Sequence, residues 1–582
     1  MVARALKIVR ESSWMLLPRL PSAGAGYGKS QMTRDALAGL TVAAVLIPQS
    51  IGYALLAGLP PVHGLYAALF GGIAGSLWGS SRFLATGPIA IVSLLTLTAV
   101  SPLATPGSSE FIALVAALAL MVGVFQIAFG LFRAGFFVRL VPLSVLVGFS
   151  SAAALIIAVT QVPHLIGVPM SSGEYTFTLV KDVISHLGDT HILTFVIGGT
   201  ALAALFIVRR LHSKLPVPLL LLAAGIFFSY WFDFGSQGVA LAGTIPSRLP
   251  LADIPSISIE VLIVLAGKAL VIALVGFMSA YAVVKEIAGH TKEQVFADRE
   301  LIGQGFANIF AGLFRGYPVG GSLSRTAVNY EAGAVTAASG IFASLIMVVC
   351  IVLLSPALAF IPNAVIAAIV IAAVLQLVDI PHMHRIIRVS RVDGAIAALT
   401  FAVALLLKPD EAILIGVIVA LALFVNRMMR VGVVRVGIDA RWNVLRAIRG
   451  GERSSEEIPQ TLMLRIEGSF FYANAERLVE QMKAQLERSK ATSEKGIRHL
   501  VLDCSGIDFM DATAIETLEE FRDELVARRT MLYLIYPRHS VRSVIARSEI
   551  LKNVRMLRNI VELRSTCGSG TSPPSPRFGV AS

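Results

Sequence analysis

Between Asp35 and Arg427 the chain is a succession of long apolar stretches separated by short polar loops. Crossing a hydrocarbon layer about 30 Å thick takes about 20 apolar residues of helix. Inside that layer only structures that satisfy their own backbone polar groups persist. The pattern therefore predicts a helical membrane domain over 35–430. Full-length candidate spans are 36–57, 62–79, 110–130, 143–163, 192–211, 216–233, 258–284, 336–360, 362–379, 393–407 and 409–426. Segment 296–313 is less apolar but still a candidate, and segments 88–100 and 322–334 are too short and too polar to cross alone. Together they make fourteen.

Charge tests the count. Only 15% of the 582 residues are charged, against about a quarter in ordinary soluble proteins. With the N-terminus placed inside, the inner loops hold Arg82, Arg133 with Arg139, Arg209 with Arg210 and Lys214, Lys285 with Lys292 and Arg299, and Arg385 with Arg388 and Arg391. The outer loops are mainly acidic, with Lys181, Arg248, Arg315 and Lys408 as exceptions. This asymmetry follows the positive-inside rule and predicts both termini in the cytoplasm. Twelve spans would move several basic loops outside. The net charge of +12 sits beside apolar spans, so lipid headgroups rather than nucleic acid are the expected partner. The N-terminus lacks a continuous apolar core and a small-residue cleavage site, so no signal peptide is expected; residues 1–34 read as a cytoplasmic lead-in. The three cysteines have no metal or redox spacing.

The short segments are third and tenth of fourteen. They occupy equivalent places if the chain is two seven-span halves, and an odd-numbered repeat must insert its second half upside down. Each opens with turn residues: Ala85-Thr86-Gly87-Pro88-Ile89-Ala90 in the first, Gly320-Gly321-Ser322-Leu323-Ser324-Arg325-Thr326 in the second. Pro88 suits a first helical turn. Two half-helices facing each other near the bilayer centre would turn unpaired N–H groups and positive dipole ends on one point, which makes an anion site. Ser324 and Thr326 add hydroxyls. Arg325 adds a positive charge, and a charge inside the membrane marks a functional site unless it snorkels or pairs structurally. In the first span Gln49 follows Pro48 and Tyr53 lies one turn later. Gln49 either lines the cavity or bonds a neighbouring helix. Phe83 suits packing better than the cavity mouth.

These residues resemble a known family. DALAGLTVAAVLIPQSIGYALLAGLPPVHGLYAALF, TGPIAIVSLL, VPLSVLVGFSSAAALIIAVTQVPHLIGV, ELIGQGFANIFAGLF and GSLSRTAVNYEAGAVT are similar, in order, to stretches of the SulP sulfate transporters, relatives of the animal anion exchangers that include prestin and pendrin. The resemblance covers about Asp35 to Ile550. It implies a membrane all-α fold, a fourteen-span 7+7 inverted repeat divided into core and gate, followed by a small cytoplasmic α/β STAS domain. It implies an anion held between the third and tenth half-helices, elevator-like movement and a homodimer. One position departs from the family. In the eighth span the family carries an acid where this chain has Ser279, in Gly276-Phe277-Met278-Ser279-Ala280. A serine does not titrate near neutral pH, which puts proton coupling there in doubt. Lys268 in the same span either makes the pathway more electropositive or snorkels outward.

From Gln460 strands and amphipathic helices alternate, as in a layered α/β domain. The segment resembles the STAS domain, assigned here to 460–565 after a linker at 431–459, with a disordered tail at 566–582. Asp511 and Thr513 occupy its characteristic loop. They suggest either a site for a regulatory protein or nucleotide or a simple helix cap. Alternatives on the same fold are bicarbonate, chloride or dicarboxylate exchange and channel-like conduction. Nucleobase carriers depend on intramembrane carboxylates, which Ser279 and Arg325 argue against. No P-loop, catalytic triad or metal-spaced cluster points to an enzyme or a cofactor, and His382 and His384 sit in what reads as a solvated basic loop.

Overall fold

The computed structural model describes residues 13–18, 27–135, 142–168, 176–211, 215–243, 246–378, 380–407, 409–439, 444–448, 455–492, 496–548, 550 and 554–568. Two units are present, Met1–Ala420 and Leu421–Ser582.

The membrane unit starts with α1 (Lys29–Leu56). A π turn at Ala67–Gly71 joins α2 (Pro61–Tyr66) and α3 (Gly72–Trp78) into one span. There follow β1 (Thr86–Gly87), α4 (Ala90–Val100), α5 (Ser109–Leu131), α6 (Leu143–Ile166), α7 (Thr176–Ser185), α8 (Ile192–Leu211) and α9 (Val217–Phe232). The second half holds α10 (Ile259–Thr291), α11 (Ala297–Leu313), β2 (Gly320–Gly321), α12 (Leu323–Glu331), α13 (Ala338–Leu353), α14 (Ser355–Leu358), α15 (Asn363–Val374), α16 (Ile380–Val389), α17 (Arg391–Leu406) and α18 (Pro409–Met429). Each of the fourteen expected segments coincides with a helix or a joined pair of helices. Among the described residues, five helices are by themselves long and apolar enough to cross a membrane. At 1.5 Å per residue, α4 and α12 reach only about 16 Å and about 13 Å, roughly half the hydrocarbon thickness.

Apolar side chains on α8 and α9, among them Phe195, Phe206, Ile207, Phe227 and Trp231, are exposed. In water they would be a large sticky surface; against acyl chains they are the expected exterior. Helix contacts inside the unit rest on small residues. A Cβ added at Gly123 of α5 would sit 2.6 Å from the carbonyl oxygen of Gly305 on α11, so those backbones meet as only glycine permits.

Among the described residues, two helices, α7 and α16, lie where loops are expected. In α16 Ile380, Met383, Ile386 and Ile387 fall on one face and His384, Arg385 and Arg388 on the other, a helical period in a stretch too short to score as a span. His382 and His384 are therefore helical residues.

In the second unit the sheet order is β4-β3-β6-β7-β8-β9, with β5 (Ser455–Glu456) also paired to β3. β3 (Val433–Asp439) pairs antiparallel with β4 (Val444–Ala447) and with β6 (Thr461–Ile466). β6, β7 (His499–Asp503), β8 (Met531–Ile535) and β9 (Val554–Leu557) are parallel. The helices are α19 (Ala475–Thr492), α20 (Ala512–Ala527), α21 (His539–Ile545) and α22 (Ile560–Gly568). The stretch read as linker thus supplies sheet strands; its alternation in VVRVGID is a strand period. The expected tail is corrected at its start, because α22 continues to Gly568 and buries Cys567. The rest of that tail, like most of the lead-in, lies outside the described residues.

Candidate substrate site

The two broken spans meet. β1 and β2 pair antiparallel, Thr86 with Gly321 and Gly87 with Gly320, and each strand runs into a half-helix. Close approach requires glycine here: a Cβ on Gly321 would lie 2.8 Å from Ala280 Cα, and one on Gly320 would lie 2.7 Å from Ile89 Cδ1. α4 starts at Ala90 with Ile89 as its cap residue and no side-chain cap, so its first N–H groups have no capping partner. Pro88 lies one residue before that cap rather than in the first turn. α12 starts at Leu323, and the Ser322 hydroxyl accepts from the Arg325 N–H at 3.5 Å.

Arg325 is fully buried. Its Nη1 donates to Gln49 Oε1 at 2.8 Å, whereas Nε and Nη2 have no hydrogen-bond partner among the described residues. A Cβ on Gly87 would stand 3.4 Å from Nη2, so the bare glycine leaves room beside the guanidinium. Tyr53 and Tyr317, both buried, lie within its electrostatic reach. Tyr317 accepts from Ser93 Oγ at 3.2 Å. Thr326 is a tether: its hydroxyl accepts from the Ala85 N–H at 3.0 Å and donates to the Ser322 carbonyl at 2.6 Å. Ser324 and Leu323 are exposed. Phe83 is buried edge-on against Tyr330, a packing role. Ser279 is half-buried on α10, in the turn whose Gly276 and Ala280 press on Gly320 and Gly321.

Sequence reasoning missed what holds the strands. Glu300, Gln304 and Asn308, all fully buried, form a polar ladder on α11. Glu300 accepts from the N–H and hydroxyl of Ser80 at 2.8 and 2.7 Å. Gln304 donates to Glu300 Oε1 at 3.1 Å and to Thr86 Oγ1 of β1 at 3.0 Å. Asn308 accepts from the Val319 N–H at 2.8 Å, donates to its carbonyl at 3.2 Å, and donates to Gln126 of α5 at 3.0 Å. One helix face thus fixes the approach to both strands. The four-residue spacing of polar residues inside an apolar span was the available signal.

In the second unit Asp511 caps α20, accepting from the Ala514 N–H, and its other oxygen accepts from the Tyr472 N–H, both at 2.9 Å. Its carboxylate is occupied structurally; Thr513 beside it is exposed. Burial pushes the Cys567 thiol up to about 11 and that of Cys504 higher still, so neither is a thiolate nucleophile at neutral pH.

Two facing half-helices joined by a strand pair, inside a many-helix apolar unit, define a multispanning membrane transporter. The sequence matches the model of the Sulfate permease family over residues 32–400 and that of the STAS domain over 452–563, and the chain belongs to the sulfate permease family. A probable sulfate transporter of Mycobacterium tuberculosis strain CDC 1551 is 30% identical over 562 residues, covering 93% of this chain and 97% of that one. Probable sulfate transporter 4.2 of Arabidopsis thaliana is 29% identical over 537 residues, covering 89% and 78%. Among solved structures, murine Solute Carrier 26 family member A9, an anion transporter in the inward-facing state, matches at TM-score 0.86 and 20% identity, over 97% of this chain and 94% of that one. The transmembrane domain of the cyanobacterial bicarbonate transporter BicA matches at 0.59 and 23%, over 68% and 97%. The fold is thus a mostly helical membrane-transporter fold with a C-terminal STAS domain, its helix count consistent with a seven-plus-seven repeat, and the protein is a transporter rather than an enzyme.

Proposed function

We propose that the protein carries a small oxyanion, sulfate first, across a cell membrane by secondary transport. One observation carries this reading: the buried Arg325 guanidinium leaves Nε and Nη2 without partners while Gln49 engages Nη1. Those two atoms form one edge of the guanidinium fork. That edge matches two coplanar oxygens of one anion, which a spherical halide cannot supply. The uncapped start of α4 adds backbone donors and its dipole. Gly87, Pro88, Ile89 and Ala90 line one side of this site; Ser322, Leu323, Ser324, Arg325 and Thr326 make the other, with Gln49 and Tyr53 from α1. The names of the relatives support sulfate, and bicarbonate or a carboxylate would use the same fork.

The reading extends to an elevator-like movement of core against gate, a homodimer, both termini in the cytoplasm and, in a bacterium, the inner membrane. The second unit would receive a regulatory protein or nucleotide, with Thr513 as its exposed residue. Ser279 supplies no proton site, so uptake should not follow an imposed pH gradient through this position. Radiolabelled sulfate uptake into proteoliposomes tests the core of the reading: saturable uptake that chloride competes for poorly supports the fork, whereas chloride competing as well as sulfate contradicts it.

A further inference from the structure

A cavity of about 600 Å³, lined by polar and apolar groups, lies away from the strand pair at the expected outer end of the membrane unit. Its walls come from four separate pieces of chain: the start of the second span, the start of α5, the segment 246–256 before α10, and the turn at Arg315 after α11. Four basic residues break the positive-inside pattern, and two of them, Arg248 and Arg315, line this one cavity. Outer-facing arginines are disfavoured unless something holds them there.

The cavity's charged rim is open to solvent, with Arg248, Asp253 and Arg315 exposed, whereas His63 and Tyr66 beneath it are buried. His63, buried, donates through Nδ1 to the Arg315 carbonyl at 2.5 Å; this fixes the tautomer when the ring is neutral and leaves Nε2 as the nitrogen available to the cavity. The Tyr66 hydroxyl donates to the Arg248 carbonyl at 3.0 Å, anchoring the segment that carries Arg248. Arg315 Nη2 donates to Asp253 Oδ2 at 2.9 Å. Two arginines and one aspartate leave the cavity a net +1 with His63 neutral. Arg248 has no ion-pair partner among the described residues, so it is the uncompensated charge.

We infer that this cavity is a second anion site, on the outer face, in which Arg248 and Arg315 hold a small oxyanion with part of its hydration shell. Asp253 acts there as an internal competitor for Arg315, which the incoming anion must share or displace. The site is joined to the transport site through the chain: five residues after Arg315 the backbone enters β2, passing Tyr317, the buried neighbour of Arg325. A volume of about 600 Å³ has room for a sulfate-sized ion together with a shell of water.

The test uses the purified full chain and radiolabelled sulfate in equilibrium dialysis at fixed ionic strength, in the Arg325→Ala background so that the transport site is silent. A saturable component should remain. Arg248→Gln should weaken it about tenfold or more, as loss of a charge-assisted bond implies, and Asp253→Asn should strengthen it severalfold. No saturable component in Arg325→Ala, or one indifferent to Arg248→Gln, overturns the inference. If Arg248→Gln does not fold, as judged by gel filtration, Asp253→Asn decides alone: stronger binding supports the site, unchanged or weaker binding removes it. This inference does not depend on the transport-site reading; Arg325→Ala binding sulfate with the same stoichiometry as wild type would count against that reading only.

Discussion

Arg325 is the residue on which the proposed transport site turns. A charge taken out of water must be matched by partners, and here the protein supplies one fixed acceptor, Gln49, and leaves one edge of the fork open. Arg325→Lys keeps the charge and removes the edge. It should raise the KM for sulfate by tenfold or more while weakening the discrimination against chloride, read from competition in uptake assays. Gln49→Ala removes a hydrogen bond to a charged group, worth roughly 1.5–3 kcal/mol, and should raise the KM by about tenfold or more at similar protein yield. Ser279→Glu restores a titratable group beside β2. Uptake by that variant should become dependent on pH between about 4 and 8, where the carboxylate titrates in a partly buried setting, and wild type measured alongside should be flat over the same window. Identical profiles for the two would remove the coupling argument. At this scale the sequence was informative because the residues near the site are chemically conspicuous: an arginine, a glutamine after proline and glycines amid apolar spans. Tyr317 was not conspicuous, since nothing in its neighbours says that the chain folds it against Ser93.

The strand pair and its two half-helices are the elements that turn those residues into a site. β2 passes so close to α10 that a methyl group on Gly321 would meet Ala280 Cα at 2.8 Å. Gly321→Ala should therefore push β2 from its partner and abolish uptake while gel filtration still shows folded protein. The α11 ladder predicts a graded counterpart. Gln304→Leu is close in volume, removes the donor to Thr86 and leaves Glu300 short of one bond, so it should lower the maximal rate and stability together. Restoring a polar amide at that position with Asn should recover less than the native side chain, being one methylene too short. Span number, order and the half-helix character were legible because a membrane imposes length and apolarity on every crossing segment. The start of α4 was displaced by two residues, since Pro88 fits equally before a cap and in a first turn. The ladder was hidden because sequence does not say which face of α11 meets the strands, and the strands at 433–447 were hidden by reading composition where period mattered.

At the scale of the whole molecule, inversion follows from arithmetic. Seven spans cannot repeat in parallel, so the third and tenth half-helices must approach from opposite sides, and the pairing of Thr86 with Gly321 is where they meet. The outer cavity was illegible for the complementary reason: its walls come from four pieces of chain that only the fold brings together. The central claim is that a buried arginine fork selects an oxyanion at this meeting point. The most direct test is saturable radiolabelled sulfate uptake into proteoliposomes, wild type beside Arg325→Ala and Arg325→Lys, with chloride as competitor. The account predicts saturable uptake in wild type with weak chloride competition, no uptake in Arg325→Ala, and poorly selective residual uptake in Arg325→Lys. Unchanged sulfate transport in Arg325→Ala would contradict it.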